Sequence, residues 1–403
     1  MRNRWLVVLG ALIVQMCLGA IYAWSVFVNP LKDQFGFTTT QTQAVFSIGL
    51  ATFALVMVFA GRWQDKIGPR VVAMTGGLVL GIGYILGGLT GGSFWAIALT
   101  VGLIGGAGIG LGYVCPIAAG VKWFPDKRGL ITGLAVAGFG GGAWIFAKLA
   151  SSLIVSVGLL STFVYLGIIF AVAVVVGSLF LVNPPEGYKP EGWEPKKVET
   201  KTKSGKKAIE NYTWKEMLKT PQFWFLWLMF VFGAAAGLMV IGNLKPFGVF
   251  SGMTAAMAGS AVGILALFNA AGRISWGWLS DKLGRTKSMF LMFLLQGIMM
   301  LVLMKMGSTA LLLGVAAAWI GFNFGGNFAL FPSTTADFFG TKNIGVNYGF
   351  VFTAYGVAGI VGPILGGRVF DVTGSYLWAF IPAGIVCLLA SMLSFFTKHP
   401  NKA

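Results

Sequence analysis

The sequence predicts an all-α membrane protein whose twelve transmembrane helices form two pseudo-symmetric six-helix bundles. Three observations carry that prediction: a strongly apolar composition, apolar runs of membrane-crossing length, and a charged loop motif that occurs twice at matching places. Of 403 residues, 57% are hydrophobic and 10% charged, with mean hydropathy +0.82, which is too apolar for a soluble globule. A helix of about 20 apolar residues crosses the hydrocarbon layer. Such runs lie near 5–28, 41–61, 71–90, 94–121, 129–153 and 158–182, and again near 221–245, 254–279, 287–306, 309–331, 345–367 and 375–397. They divide the chain into a first bundle at 1–182, a linker at 183–220 and a second bundle at 221–403.

The N-terminal MRNRW resembles the start of a signal peptide. However, no small-residue cleavage site follows, and Trp24, Asn29 and Pro30 continue the pattern of a first retained span. The net charge of +17 takes its meaning from its location. With the N-terminus placed in the cytoplasm, about 23 of the 29 Lys and Arg residues fall in cytoplasmic segments. This bias puts both termini inside, in the inner membrane of a cell, and removes the case for nucleic acid. Cys17, Cys115 and Cys387 lie inside apolar runs, too few and too widely spaced for a disulfide framework or a metal site. The linker is rich in Lys, Glu and Pro without apolar periodicity. At its end Thr213, with Glu216 three residues on, is a capping box for a short surface helix before Pro221.

The repeated motif is G-x-x-x-D-K-x-G. It appears as Gly61 to Gly68 and again as Gly277 to Gly284, 216 positions later, between the second and third helices of each half. Glycines allow a tight turn. The Asp either caps a neighbouring helix or pairs with a base across the interface between the halves, so Asp65, Arg70, Asp281 and Arg285 are candidate gating residues. Parallel six-helix repeats are a construction used by transporters.

Arg273 is the most informative residue. It sits within the apolar eighth helix, about two turns before the loop charges. A cation at mid-membrane costs on the order of 3 kcal/mol, so such residues face a bundle interior or cavity and meet an anion there. One reading is a structural Arg paired within the protein. The other is an anchor for an anionic substrate, with Asn269 one turn earlier on the same face and a guanidinium fork that grips one carboxylate through two parallel hydrogen bonds.

The segments GAIYAWSVFVNPLKDQFG, KWFPDKRGLITG, MLKTPQFW, GRISWGWLSDKLGR and ALFPSTTADFFGTKNIGVNYG closely resemble the major facilitator superfamily. Within it they resemble the oxalate:formate antiporter family, which is related to the monocarboxylate transporters. The resemblance implies alternating access of two rocking halves around a central site, with Arg273 contacting substrate. It also implies aromatic cavity walls at Tyr22, Tyr113 and Phe139, and at Phe324 and Phe328, one turn apart on the tenth helix. The eleventh helix carries Tyr348, Phe352 and Tyr355 on one face. In relatives that move oxalate, the position of Tyr355 is a lysine. With one buried cation in place of two, a dianion leaves charge unpaired, which favours a monocarboxylate.

All 12 Asp and Glu lie in loops or at helix ends, and the sole histidine, His399, lies in the tail. A buried acid and histidine relay is therefore absent, which leaves proton coupling carried by the substrate itself, or anion exchange. The expected function is secondary active transport of a small monocarboxylate of lactate, pyruvate or formate type. An oxalate or dicarboxylate:formate exchanger is the alternative, and a membrane receptor that has lost transport is the competitor from another class. No cofactor or metal is expected, nor an enzyme: no nucleophile stands beside a base and no phosphate loop occurs. The expected partners are the carboxylate, a proton or counter-anion and the bilayer, and the expected state is a monomer.

Overall fold

A computed structural model describes residues 4–190 and 211–400. Most of the linker, 191–210, lies outside the described residues. Among the described residues, twelve helices are long and apolar enough to cross a membrane, six on either side of the linker. In order they are span 1 (Trp5–Ala23), span 2 (Ala44–Ile67), span 3 (Pro69–Leu89), span 4 (Phe94–Trp123), span 5 (Arg128–Val157) and span 6 (Leu159–Ser178). Span 7 (Pro221–Leu244), span 8 (Met257–Leu283), span 9 (Arg285–Met306), span 10 (Ala310–Phe339), span 11 (Ile344–Gly362) and span 12 (Leu377–Phe396) complete the set. No strand occurs among the described residues.

The helix ends follow local chemistry. The hydroxyls of Ser93, Thr220, Thr254 and Thr309 each accept a backbone N–H from the first turn of the helix they precede. The capping box at Thr213 and Glu216 forms in full and starts the short helix Trp214–Leu218. Gly68 and Gly284, the closing glycines of the repeated motif, hold φ of 92° and 89°, which lets one span end and the next begin without a loop. Span 1 departs from a uniform helix: its last turn, Gly19–Ala23, tightens to 3-10 geometry around Tyr22, and helix resumes at Ser25–Phe35.

Large apolar side chains face outward along the spans, among them Leu55, Phe59, Trp95, Val155, Leu311 and Trp378. That is the pattern of helices with a hydrocarbon neighbour. Lys148 lies exposed with its ammonium 3.7 Å over the Trp144 ring, consistent with a snorkelling cation.

Two seams join the halves of the chain, span 2 against span 11 and span 5 against span 8. They are one contact made twice. Gly129 of span 5 and Gly277 of span 8 each lie against the other's carbonyl, with no room for a Cβ. Gly345 of span 11 and Gly61 of span 2 do the same, and both members of that pair are offset from the first pair by 216 positions. Backbone-to-backbone packing of this kind is what small residues permit between membrane helices.

Candidate substrate site and gate

The span 5–span 8 seam fixes Arg273. Gly133 packs on the Arg273 carbonyl, Gly272 on that of Phe322, and Gly325 on that of Asn269, so spans 5, 8 and 10 meet backbone to backbone around one turn. The guanidinium is completely buried. Its Nε donates to Asn269 Oδ1 at 2.9 Å, and Nη1 donates across the seam to the Val136 carbonyl at 2.8 Å. Nη2 makes no hydrogen bond of ordinary geometry, the Tyr22 and Tyr113 hydroxyls lie near the guanidinium, and no carboxylate pairs with the group among the described residues. Both acceptors are neutral. They orient the fork and leave its charge unmatched, an arrangement that favours an incoming anion.

Rings enclose the cation. Phe328 lies 4.2 Å and Phe139 5.6 Å from the guanidinium carbon, within cation–π range. Tyr22 and Tyr113 stand edge-on to Phe139 at 5.1 Å and 5.3 Å, and Tyr355 and Phe324 edge-on to Phe328 at 5.4 Å and 5.3 Å. The Tyr22 and Tyr355 hydroxyls hydrogen-bond each other, joining span 1 to span 11 across the centre. All eight residues expected at the site thus form one cluster drawn from both halves.

Sequence reasoning left Phe53, Phe352 and Tyr348 outside this set. Phe53 packs on Tyr113 at 5.0 Å and on Phe352 at 5.0 Å, and Phe352 lies 4.9 Å from Tyr355. The Tyr348 and Tyr113 hydroxyls lie close to one another and within electrostatic reach of Arg273. Tyr348 and Phe352 were signalled by their spacing with Tyr355, whereas Phe53 sits in an apolar run with nothing to distinguish it. Asn323 links helices by accepting the Trp276 indole N–H at 3.2 Å, while Asn327 only donates to the Phe324 carbonyl of its own helix.

The repeated aspartates sit where each seam reaches the linker face. Asp281 accepts from the N–H groups of Gly129 and Leu130, both at 2.9 Å, and so caps span 5 from the opposite half. Asp65 caps span 11 in the same way, through the N–H groups of Gly345 at 3.1 Å and Val346 at 2.9 Å. Each carboxylate satisfies two orphan amides at the positive end of a helix dipole.

The surroundings of the two caps differ. Arg285 donates to Asp281 at 2.8 Å and to Asp337 at 2.7 Å, while Arg128 reaches Asp337 across the seam at 2.6 Å. Among the described residues Asp65 pairs with Lys122 alone, at 3.9 Å. Asp337, Arg128 and Lys122 complete these ion pairs, and the repeat did not reveal them because none of them belongs to the duplicated motif. Arg70 donates to the Leu179 carbonyl beyond span 6, at 2.7 Å, a contact within the first half.

Parting the two seams on the linker side would break both caps. Asp281→Asn keeps one acceptor but loses the charge that holds the two amides and Arg285, a loss of about 1.5–3 kcal/mol for hydrogen bonds to a charged group. In a background lacking the native cysteines, the rate at which a membrane-impermeant maleimide modifies Ser333→Cys from the linker side is expected to rise about tenfold on adding Asp281→Asn. An unchanged rate would show that this cap does not hold the gate. Ser333 suits the probe because it is fully buried on span 10.

The Major Facilitator Superfamily pattern matches residues 7–363, and again 252–403. The chain belongs to this superfamily of transporters. It is 33% identical to the oxalate:formate antiporter of Oxalobacter formigenes over 98% of this chain and 91% of that protein. It is 32% identical to the uncharacterized MFS-type transporter YhjX of Escherichia coli, over 89% of this chain and 86% of that one. Monocarboxylate transporter 12 of Xenopus laevis is 26% identical over 99% of this chain and 89% of that protein. The fold matches the proton:xylose symporter XylE with TM-score 0.75 at 13% identity, covering 98% and 96% of the two chains. The outward conformation of FucP aligns with TM-score 0.69 at 17% identity, covering 97% and 98%. The chain is thus a multi-pass membrane transporter, and these likenesses agree with the family expected from its motifs.

Proposed function

We propose that this transporter carries a small monocarboxylate of lactate, pyruvate or formate type by alternating access. The observation that carries this reading is the buried Arg273 guanidinium, which has an unpartnered Nη2 and no carboxylate beside it. A carboxylate bound there completes the fork and neutralises the charge, while the rings of Phe139, Phe328 and Tyr355 cover the apolar part of the substrate. The bundles at 1–182 and 221–403 rock about this centre, with Asp65 and Asp281 releasing their caps as the linker side opens. Both termini face the cytoplasm, the membrane is the inner membrane of the cell, and the unit is a monomer. The chain performs no catalysis.

A dicarboxylate:formate exchange is the second reading, supported by the 33% identity to an oxalate:formate antiporter. Against it stands position 355, where the second cation expected of oxalate carriers is a tyrosine. A dianion would hold one carboxylate on Arg273 and leave the other among rings.

Uptake of labelled lactate into proteoliposomes tests the reading. Saturable uptake, stimulated by an inward proton gradient or by anion loaded inside, is expected. Failure of lactate, pyruvate and formate to accumulate or compete, with oxalate accumulating in their place, would overturn the monocarboxylate reading.

A further inference from the structure

Beside the span 5–span 8 seam, on the outer surface of the bundle, lies a groove of about 370 Å³. Its walls are Leu130 of span 5, Phe322 of span 10, and Ile274, Ser275, Trp276, Trp278 and Leu279 of span 8. The lining is mostly apolar, its polar groups being the Ser275 hydroxyl and the indole N–H groups of Trp276 and Trp278, and Trp278 is 45% exposed, so the groove opens sideways onto hydrocarbon. At its linker-side end the exposed Lys282 lies with Nζ 3.9 Å over the Trp278 ring. A second exposed lysine, Lys127, precedes the lining residue Leu130 by three positions, one turn away at the start of span 5.

The acids at this end are already engaged. Asp126 pairs with Arg4 at 3.1 Å, Asp281 with Arg285 and the span 5 amides, and Asp337 with Arg128 and Arg285. Neither Lys127 nor Lys282 meets a carboxylate among the described residues. An apolar groove at membrane depth that ends in two unmatched ammonium groups complements one kind of molecule, with an acyl chain at one end and an anionic head at the other.

We propose that this groove binds an anionic glycerophospholipid from the linker-side leaflet. One acyl chain lies along Trp278, Ile274 and Phe322, and the phosphate sits between Lys282 and Lys127. The site spans both halves of the chain, and Lys282 adjoins Asp281, the residue that caps span 5. Opening the gate moves Leu130 away from span 8 and takes the groove apart. The bound lipid therefore favours the closed linker side, and anionic lipid content sets how readily the transporter opens there.

The test uses the purified full chain in phosphatidylcholine nanodiscs, titrated with brominated phosphatidylglycerol or brominated phosphatidylcholine. The signal is the tryptophan quenching that disappears in Trp278→Phe. Quenching by the anionic lipid is expected to half-saturate at a several-fold lower mole fraction than quenching by the zwitterionic one, and Lys127→Gln with Lys282→Gln is expected to abolish that preference. Equal quenching by both lipids, or a preference that survives the double substitution, would overturn the proposal. Native mass spectrometry tests the same site without Trp278→Phe: the wild-type chain is expected to retain one phosphatidylglycerol more than the double variant, and equal retention overturns the site.

Discussion

Arg273→Lys is expected to lower kcat/KM for monocarboxylate uptake by about 10–100-fold while the protein still folds and inserts. The substitution keeps the charge and loses the geometry. Arg273 is oriented by two bonds, from Nε to Asn269 and from Nη1 to the Val136 carbonyl, which leave Nη2 unbonded. A lysine ammonium is a point donor on a flexible stem and cannot serve two fixed acceptors and a carboxylate in one plane. The loss amounts to one or more charge-assisted hydrogen bonds of about 1.5–3 kcal/mol, at a factor of ten per 1.4 kcal/mol. The measurement is initial uptake rate against substrate concentration in proteoliposomes, normalised to inserted protein. Wild-type kinetics in this variant would remove Arg273 from the site.

The second large effect is a change of substrate. Tyr355→Lys is expected to raise the competition of oxalate against labelled monocarboxylate by about tenfold or more, the worth of one hydrogen bond to a charged group. Tyr355 is fully buried, its hydroxyl bonds that of Tyr22, and its ring lies 5.4 Å from Phe328, which itself stacks on the guanidinium. An ammonium placed here lies on the same aromatic wall as Arg273 and supplies the charge that a second carboxylate needs. Without a dianion the two cations repel in a low-dielectric cage, so uptake of the monocarboxylate should fall in the same variant. Unchanged competition by oxalate would count against the placement of Tyr355 beside the substrate.

Much of this architecture is legible in the chain because membranes simplify the rules. A run of apolar residues of sufficient length crosses the bilayer, so the twelve spans follow from composition alone. Arg273 stood out because a cation is rare in such a run, and the aromatic residues followed from the resemblance. What the chain did not disclose are contacts made by the backbone or by unremarkable residues. The Val136 carbonyl that orients Arg273 has no signature, since every residue carries a carbonyl. The roles of Asp65 and Asp281 were open between capping and ion pairing, and Asp281 does both because amides and Arg285 converge on it.

The contact of Arg70 was hidden for a related reason. It lies in the first turn of span 3, five residues after Asp65, but an arginine reaches any nearby free carbonyl, and that of Leu179 lies within its own half. Asp337 was missed because it sits at the end of span 10, where an acid reads as an ordinary helix terminus, although two arginines from different halves meet on it.

The unmatched Arg273 guanidinium is expected to recognise the negative charge of a carboxylate. The direct test compares each candidate acid with its own neutral amide, such as lactate with lactamide and pyruvate with pyruvamide, by the thermal stabilisation each gives the purified protein. The acid of the transported pair is expected to raise Tm while its amide leaves it unmoved, and Arg273→Gln is expected to erase the difference. Equal stabilisation by acid and amide, or a preference for the acid that persists without the guanidinium, would contradict the account.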